Sequence, residues 1–270
     1  TLLHLACFIR DDPDMVRLLL SRGADPRRPD KSSFGGRPLA LACAYGGRRA
    51  NVDVMIAHDP SLTRLQDPRT GLLPLSMAPF YGHAAIVEHL LTHYPKLVDK
   101  HMPIGPGQTA GWCTVAMMMI GDVDTLRVLL DHGFPYDNVA RQTRFQGRLM
   151  MGVADLVVRL FRRPSMIFLC HAFSMRCTAL HAAAFNGNLG GAKMLLEKGH
   201  ADPASTNQSH KMTPLHLAAL GGHQQVVDLL IAAGAPVGAR DCTKRTAAAW
   251  AARMGHAELA RRLEEAARKA

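Results

Sequence analysis

Apolar residues recur along this chain in short blocks at helical spacing. In MVRLLLSRGADP from Met15, IVEHLLTHYP from Ile86, LRVLLDHGFP from Leu126, AKMLLEKGHADP from Ala192 and VVDLLIAAGAP from Val226 they fall three and four residues apart, and Gly or Pro stops each block. VMIAHDP from Val54 is a shorter block of the same kind. A different block precedes each of these. TPLHLAALGGH at Thr213, TALHAAAFNGN at Thr178 and TAAAWAARMGH at Thr246 align with one another, each with a Gly nine residues after its Thr. The same template fits TLLHLAC at Thr1, RPLALACAYGG at Arg37, LPLSMAPFYGH at Leu73 and, more loosely, WCTVAMMMIGD at Trp112. The pattern predicts helix pairs. Thr or Thr-Pro opens the first helix, because the hydroxyl can cap free amides and Pro tolerates the first helical position. Gly turns the chain into the second helix.

The copies start at residues 1, 37, 73, 112, 178, 213 and 246, so their spacings are 36, 36, 39, 66, 35 and 33. The outlier is twice 33, which predicts a degenerate copy near Thr143, with Gly152 nine residues on and DLVVRLFRRP as its second helix. The alternative for 140–176 is an insert. One helix pair has too little apolar surface to fold alone, so such units stack into arrays. The expected fold is a single all-α solenoid domain over 1–270, with seven clear copies and one degenerate copy. The helix ELARRLEEAARKA closes it as a polar cap. Thr1 opens in mid-pattern, so the chain reads as a segment of a longer protein.

The period, the TPLH block from Thr213 to His216, the G-H step at Gly222-His223 and the G-A-D step from Gly23 to Asp25 resemble ankyrin repeats over essentially the whole chain. The Trp112 copy departs from the pattern, lacking the Pro, Leu and His of the opening block. The resemblance implies a protein-protein interaction scaffold. It places the pair of residues before each turn glycine in a concave groove: Phe8 and Ile9, Ala44 and Tyr45, Phe80 and Tyr81, Met119 and Ile120, Phe185 and Asn186, Leu220 and Gly221, Arg253 and Met254. Such an apolar row is either buried between repeats or an exposed stripe for a partner. The candidate groove contacts are Phe8, Tyr45, Phe80, Tyr81, Met119 and Phe185.

Formal net charge is +10, and the inter-repeat loops, which resemble ankyrin fingers, carry much of it: Arg27, Arg28, Lys31, Arg64, Arg69, Lys100, Arg141, Lys211, Arg240, Lys244 and Arg245. Of these, Arg27, Arg28, Lys31, Arg64, Arg69, Arg240, Lys244 and Arg245 are candidate partner contacts. A solvated basic edge that keeps the protein soluble is one reading. A rim that attracts an acidic partner is the other. Together, groove and rim predict a protein partner with apolar anchors and acidic flanks. Direct binding of nucleic acid or anionic lipid is the rival, but it lacks a recognisable motif and any interleaving of aromatic with basic residues. The array could also be the targeting module of a larger enzyme or effector.

The remaining chemistry is sparse. His4, His181 and His216 recur in one slot of their repeats, which points to structural bonding of neighbouring loops. His89 and His93 stand four apart without the Glu of an HExxH zinc motif. Cys170, His171 and Cys177 lack a fourth ligand. Gly105, Gly107 and Ala110 match GxGxxA, yet no strand run or βαβ unit surrounds them, and a flexible inter-repeat loop is expected there. An enzyme site framed by 139–176 would need a polar insert, and this stretch is rich in Leu, Val, Met and Phe. No catalytic residue, metal or cofactor is predicted. The six cysteines form no CxxC pair, which suggests a reducing intracellular, cytoplasmic setting. No apolar run approaches the roughly 18 to 20 residues of a membrane span, and the first residues contain no secretory signal.

Overall fold

The structure is a computed structural model that describes residues 1–29, 36–45, 48–66, 73–97, 101–105, 108–111, 113, 121–137, 141–142, 177–208 and 210–269. The Thr-type blocks fold as first helices: Leu2–Ile9, Pro38–Ala44, Ala179–Phe185, Pro214–Gly221 and Ala247–Met254. In the third copy a 3-10 turn, Pro74–Ser76, runs into the short helix Met77–Phe80. The second blocks fold as Pro13–Ser21, Arg49–His58, Ala84–His93, Val123–Asp131, Leu189–Glu197, Gln224–Ala232 and Ala257–Lys269. Successive first helices pack side by side, and so do successive second helices. Ala42, Ala78, Ala183, Ala218 and Ala251 hold one repeat position and are completely buried. A methyl group there lets neighbouring helices approach closely while still excluding water. The leucines three residues earlier, such as Leu39, Leu180 and Leu215, lie on the same side of each helix and are buried with them. Gly222 takes the left-handed conformation (φ 74°) that ends Pro214–Gly221, and its N–H satisfies the carbonyls of Ala218 and Ala219. The last helix buries Leu259, Ala260 and Leu263 and exposes Arg261, Glu264, Glu265 and Arg268.

Two features bear on the expected organisation. The stretch anticipated as a flexible loop contains an antiparallel hairpin, β1 (His101–Gly105) with β2 (Gln108–Gly111), to which β3 (Arg141–Gln142) adds. Gly105 and Ala110 of the GxGxxA string therefore lie on opposing strands, and neither opens a helix. The helical architecture holds for the repeats, and this small sheet is a local exception to the all-α reading. The second concerns the long spacing. Val123–Asp131 packs directly on Leu189–Glu197. Lys198 Nζ reaches Asp131 at 2.9 Å, and the Ala179 N–H donates to the Tyr136 carbonyl at 3.2 Å. The helices on either side of the long spacing are thus in direct contact. The degenerate copy proposed around Thr143 and Gly152 lies outside the described residues.

Lys211 (φ 54°) and Lys244 (φ 62°) stand two residues before Thr213 and Thr246, in the left-handed region that penalises a side chain. Replacing both with Gly (Lys211→Gly with Lys244→Gly) is expected to stabilise the chain by about 1 kcal/mol, because the relieved strain exceeds the added unfolded-state entropy. Thermal melts test this, and a lower melting temperature in the variant contradicts it.

Candidate functional site: the concave face

The first helices end, one beside the next, on a common face. There Phe8 and Tyr45 meet edge to face with ring centroids 4.6 Å apart, and Tyr45 stacks on Tyr81 at 6.3 Å. Phe8 is 44% exposed and Tyr81 40%, while Tyr45 is half-buried between them. Sequence-distant aromatic residues are therefore joined into a ladder whose outer edges face solvent. Burial and the neighbouring Tyr45 raise the Tyr81 pKa, so its hydroxyl stays neutral and can donate a hydrogen bond.

Beneath the ladder the helix ends are tied down. Arg48 donates through Nη2 to the carbonyls of Phe8 (2.8 Å) and Ile9 (2.9 Å) and through Nη1 to that of Tyr45 (2.6 Å). A guanidinium here neutralises the negative ends of two helix dipoles at once. The row does not continue in the same form through the C-terminal copies. Phe185 is half-buried against the core, Leu220 is buried, and Asn186, Gly221 and Arg253 interrupt the apolar surface. The row is therefore exposed in one part of the stack and covered in another. Phe80 is on its helix, with its side chain outside the described set, and Met119 lies outside the described residues altogether.

The basic rim divides as well. Arg27 is not a free tip: its guanidinium binds Asp59 at 2.6 Å and the Ser61 hydroxyl at 2.9 Å. The Ser61 hydroxyl first, and Arg27 second, hold the Asp59 carboxyl at about 2. Arg245 lies over the Trp250 ring, with its guanidinium carbon 5.3 Å from the centroid, and bonds the Thr243 hydroxyl. Arg240 donates to the Lys244 carbonyl at 3.3 Å. These three sort with the fold: Arg27 joins adjacent fingers, whereas Arg240 and Arg245 bind within their own finger and the helix that follows it. Arg28, Arg64, Lys211 and Lys244 are exposed and form no ion pair with described residues. Lys31, Arg69 and Lys100 lie outside the described residues.

The recurrent histidines join one repeat to the next. His181 accepts the Thr178 hydroxyl at Nδ1 (2.8 Å) and donates from Nε2 to the Met212 carbonyl (3.0 Å). His216 repeats this with Thr213 (2.8 Å) and the Arg245 carbonyl (3.2 Å). The Thr hydroxyls expected to cap amides are thus spent largely on these rings. Thr246, with Ala249 in the His slot, caps the amide three residues on at 3.3 Å, and the Thr1 hydroxyl accepts the His4 N–H at 3.5 Å. His89 Nε2 and the Tyr94 hydroxyl both bind Asp53 Oδ1, and His93 bonds the His89 carbonyl. Among the described residues no group of three or more His, Cys, Asp or Glu could hold a metal ion, and no helix is long and apolar enough to cross a membrane. Cys7, Cys43, Cys113, Cys177 and Cys242 are unbridged. Burial pushes the Cys7, Cys113 and Cys177 thiols up to about 12. Cys170 and His171 lie outside the described residues.

Comparison with known families matches residues 3–103 and 180–269, well over half of the chain, to ankyrin repeats in three copies. The chain belongs to the ankyrin-repeat family. Ankyrin repeats are in general protein-protein interaction modules. Among curated proteins, the ARF GTPase-activating protein GIT1 of Homo sapiens is 39% identical over 89 residues, 32% of this chain and 11% of that protein. The ankyrin repeat and KH domain-containing protein mask-1 of Caenorhabditis elegans is 28% identical over 193 residues, 66% of this chain and 7% of that protein. A probable E3 ubiquitin-protein ligase, XBOS33, of Oryza sativa subsp. japonica is 37% identical over 94 residues, 33% of this chain and 18% of that protein. The chain spans less than a fifth of the length of each of these relatives.

Within this ankyrin stack, sequence reading missed a second set of joints. The residue after the turn glycine reaches back to the preceding repeat: His83 Nε2 to the Ala44 carbonyl (2.5 Å), His223 Nε2 to the Phe185 carbonyl (2.9 Å), and Asn188 to the Gly121 carbonyl. Arg48 does the same for Phe8 across a turn one residue longer. The recurring G-H step was the signal. Its role emerges only when the carbonyl 38 or 39 residues earlier is brought beneath the ring.

Proposed function

We propose that the chain is an interaction scaffold that grips a protein partner through the aromatic ladder of Phe8, Tyr45 and Tyr81, with Arg28 and Arg64 as the accessible basic residues of its rim. The ladder carries this reading. Aromatic groups held by fixed helix ends lose little side-chain freedom on binding, which is why such residues dominate binding energy at interfaces. The rim charges speed encounter with an acidic partner and contribute less to final affinity. The unbridged cysteines fit an intracellular setting.

Phe8→Ser with Tyr81→Ser alters two exposed positions and leaves the half-buried Tyr45 in place. Against a partner identified by crosslinking to the unmodified chain, this variant is expected to bind on the order of 100-fold more weakly, through faster dissociation. Arg28→Glu with Arg64→Glu is expected to slow association and flatten its salt dependence, with a smaller loss of affinity. Binding that survives the aromatic change and collapses with the charge change overturns the groove reading. Recovery of only nucleic acid or lipid, with steep salt dependence, does the same.

A further inference from the structure

The second helices form the other side of each repeat, and none of their residues belongs to the aromatic ladder. Between Pro13–Ser21 and Arg49–His58 they leave a hollow of about 520 Å³. Leu20, Val54 and Ala57 line it with aliphatic groups, and Arg17, Asp53 and Tyr94 with polar ones. Arg17, Ala57 and His58 are exposed, so the hollow is open to solvent. The Asp53 side chain is 40% exposed and is held through one oxygen only. His89 Nε2 (2.7 Å) and the Tyr94 hydroxyl (2.8 Å) both donate to its Oδ1, and among the described residues no donor reaches Oδ2. Burial first, and Asp53 second, push the Tyr94 hydroxyl up to about 12, so it remains a donor.

The last two second helices show what completes such a carboxylate. Asp228 follows the buried Val227 as Asp53 follows Val52, and Arg262 stands two residues after Ala260 as His89 stands two after Val87. These are one pair of repeat positions in two parts of the stack. Arg262 binds Asp228 at 2.8 Å, so that carboxylate has a permanently charged partner within the chain. His89 supplies Asp53 with one hydrogen bond and no such permanent charge. The other cation that lines the hollow, Arg17, binds Asp14 of its own helix at 2.6 Å. Asp53 thus keeps an open oxygen beside an aliphatic wall, and the matching ligand is a cation on an aliphatic stem.

We propose that this hollow is a binding pocket for a lysine side chain of a partner protein, with the ammonium on Asp53 Oδ2 and the methylene stem along Leu20, Val54 and Ala57. The state of the carboxylate selects the residue. A guanidinium binds best to both oxygens of a carboxylate, and Oδ1 already has two donors, whereas a compact ammonium needs only one oxygen. An open hollow suits a side chain carried in on another surface, because a free amine buries too little to be held. The proposal stands whether or not the ladder is a partner site.

The test titrates the full chain with Nα-acetyl-lysine methylamide and follows backbone amide shifts in Pro13–Ser21 and Arg49–His58 by NMR. Saturable shifts are expected in these two helices, and the same compound acetylated on Nε, which lacks the charge, should bind on the order of tenfold more weakly. The corresponding arginine compound and n-butylamine should both bind more weakly than lysine. Asp53→Asn keeps an acceptor for His89 and Tyr94 and is expected to lose about tenfold in affinity. His89→Arg rebuilds the pairing of Asp228 with Arg262 and should abolish the shifts in a folded chain that retains Asp53. Arg17→Gln should tighten binding, since it removes a like charge from the lining. Equal binding of the charged and Nε-acetylated compounds, or shifts that persist in both Asp53→Asn and His89→Arg, overturn the proposal. Butylamine binding as tightly as the lysine compound makes a free amine the ligand and also overturns it. Saturable binding of inorganic phosphate that Arg17→Gln removes does the same, because it makes the hollow an anion site.

Discussion

Taking the chain from pH 7 to pH 4 is expected to cost about 3 kcal/mol of stability through His181 alone. The ring is completely buried, and burial is the main cause that lowers its pKa from 6.5 to about 4. The two hydrogen bonds explain why the neutral form is required. Nε2–H is fixed by the Met212 carbonyl, and Nδ1 must stay unprotonated to accept the Thr178 hydroxyl. The unfolded chain takes up the proton near pH 6.5 and the folded chain only near pH 4. Stability from this group is therefore complete above pH 6.5 and is lost as pH falls toward 4. His216, lowered by burial in the same direction, adds to the slope. Urea melts followed by circular dichroism across this range should reveal the loss. His181→Gln keeps one donor and one acceptor without the titration, so the variant should be less stable at pH 7 and flatter with pH. An unaltered slope in that variant rules out His181 as its source.

Gly187→Ala is expected to destabilise the chain by about 3 kcal/mol, against about 1 kcal/mol for Gly234→Ala. Both glycines have positive φ, 69° and 86°, so a β-carbon strains the backbone similarly at each. Around Gly234 that carbon meets nothing within 4 Å, whereas at Gly187 it would stand 2.4 Å from Nδ1 of His223. His223 cannot simply swing away without giving up its bond to the Phe185 carbonyl, one of the joints between these repeats. The difference between the two variants thus isolates the close approach of neighbouring repeats from the backbone strain common to both. Equal losses in chemical denaturation would mean that the joint contributes little.

Most of the repeat architecture was legible because each copy restates the same local rules. Thr178, Thr213 and Thr246 mark helix starts, Gly187 and Gly222 mark turns, and the buried Ala and Leu positions recur at one period. What escaped depended on distance across the stack. The direct contact of the 112 and 178 copies cannot be read from their 66-residue spacing, since 66 fits both a missing repeat and an insert. The hairpin escaped because HMPIG and QTAG carry Gly and Pro and lack the β-branched alternation that marks a strand. In the candidate site, a pattern of types suggested the groove row, but exposure divided it. Phe8 and Tyr81 keep solvent-facing edges, whereas Leu220 at an equivalent position is covered. Arg27 and Arg245 looked like free rim charges because Asp59 is recognisable as a partner only once adjacent fingers are set side by side, and Trp250 only once the chain after Arg245 turns into its helix.

The most direct test of the groove places a photocrosslinking amino acid at position 81 of the full chain, and separately at position 193, where Lys193 lies on the exposed side of a second helix. One protein partner is expected to be captured from position 81, less of it when Phe8→Ser is added, and none of it from position 193. Equal capture from both positions, or capture from 193 alone, would contradict the aromatic ladder as the working surface.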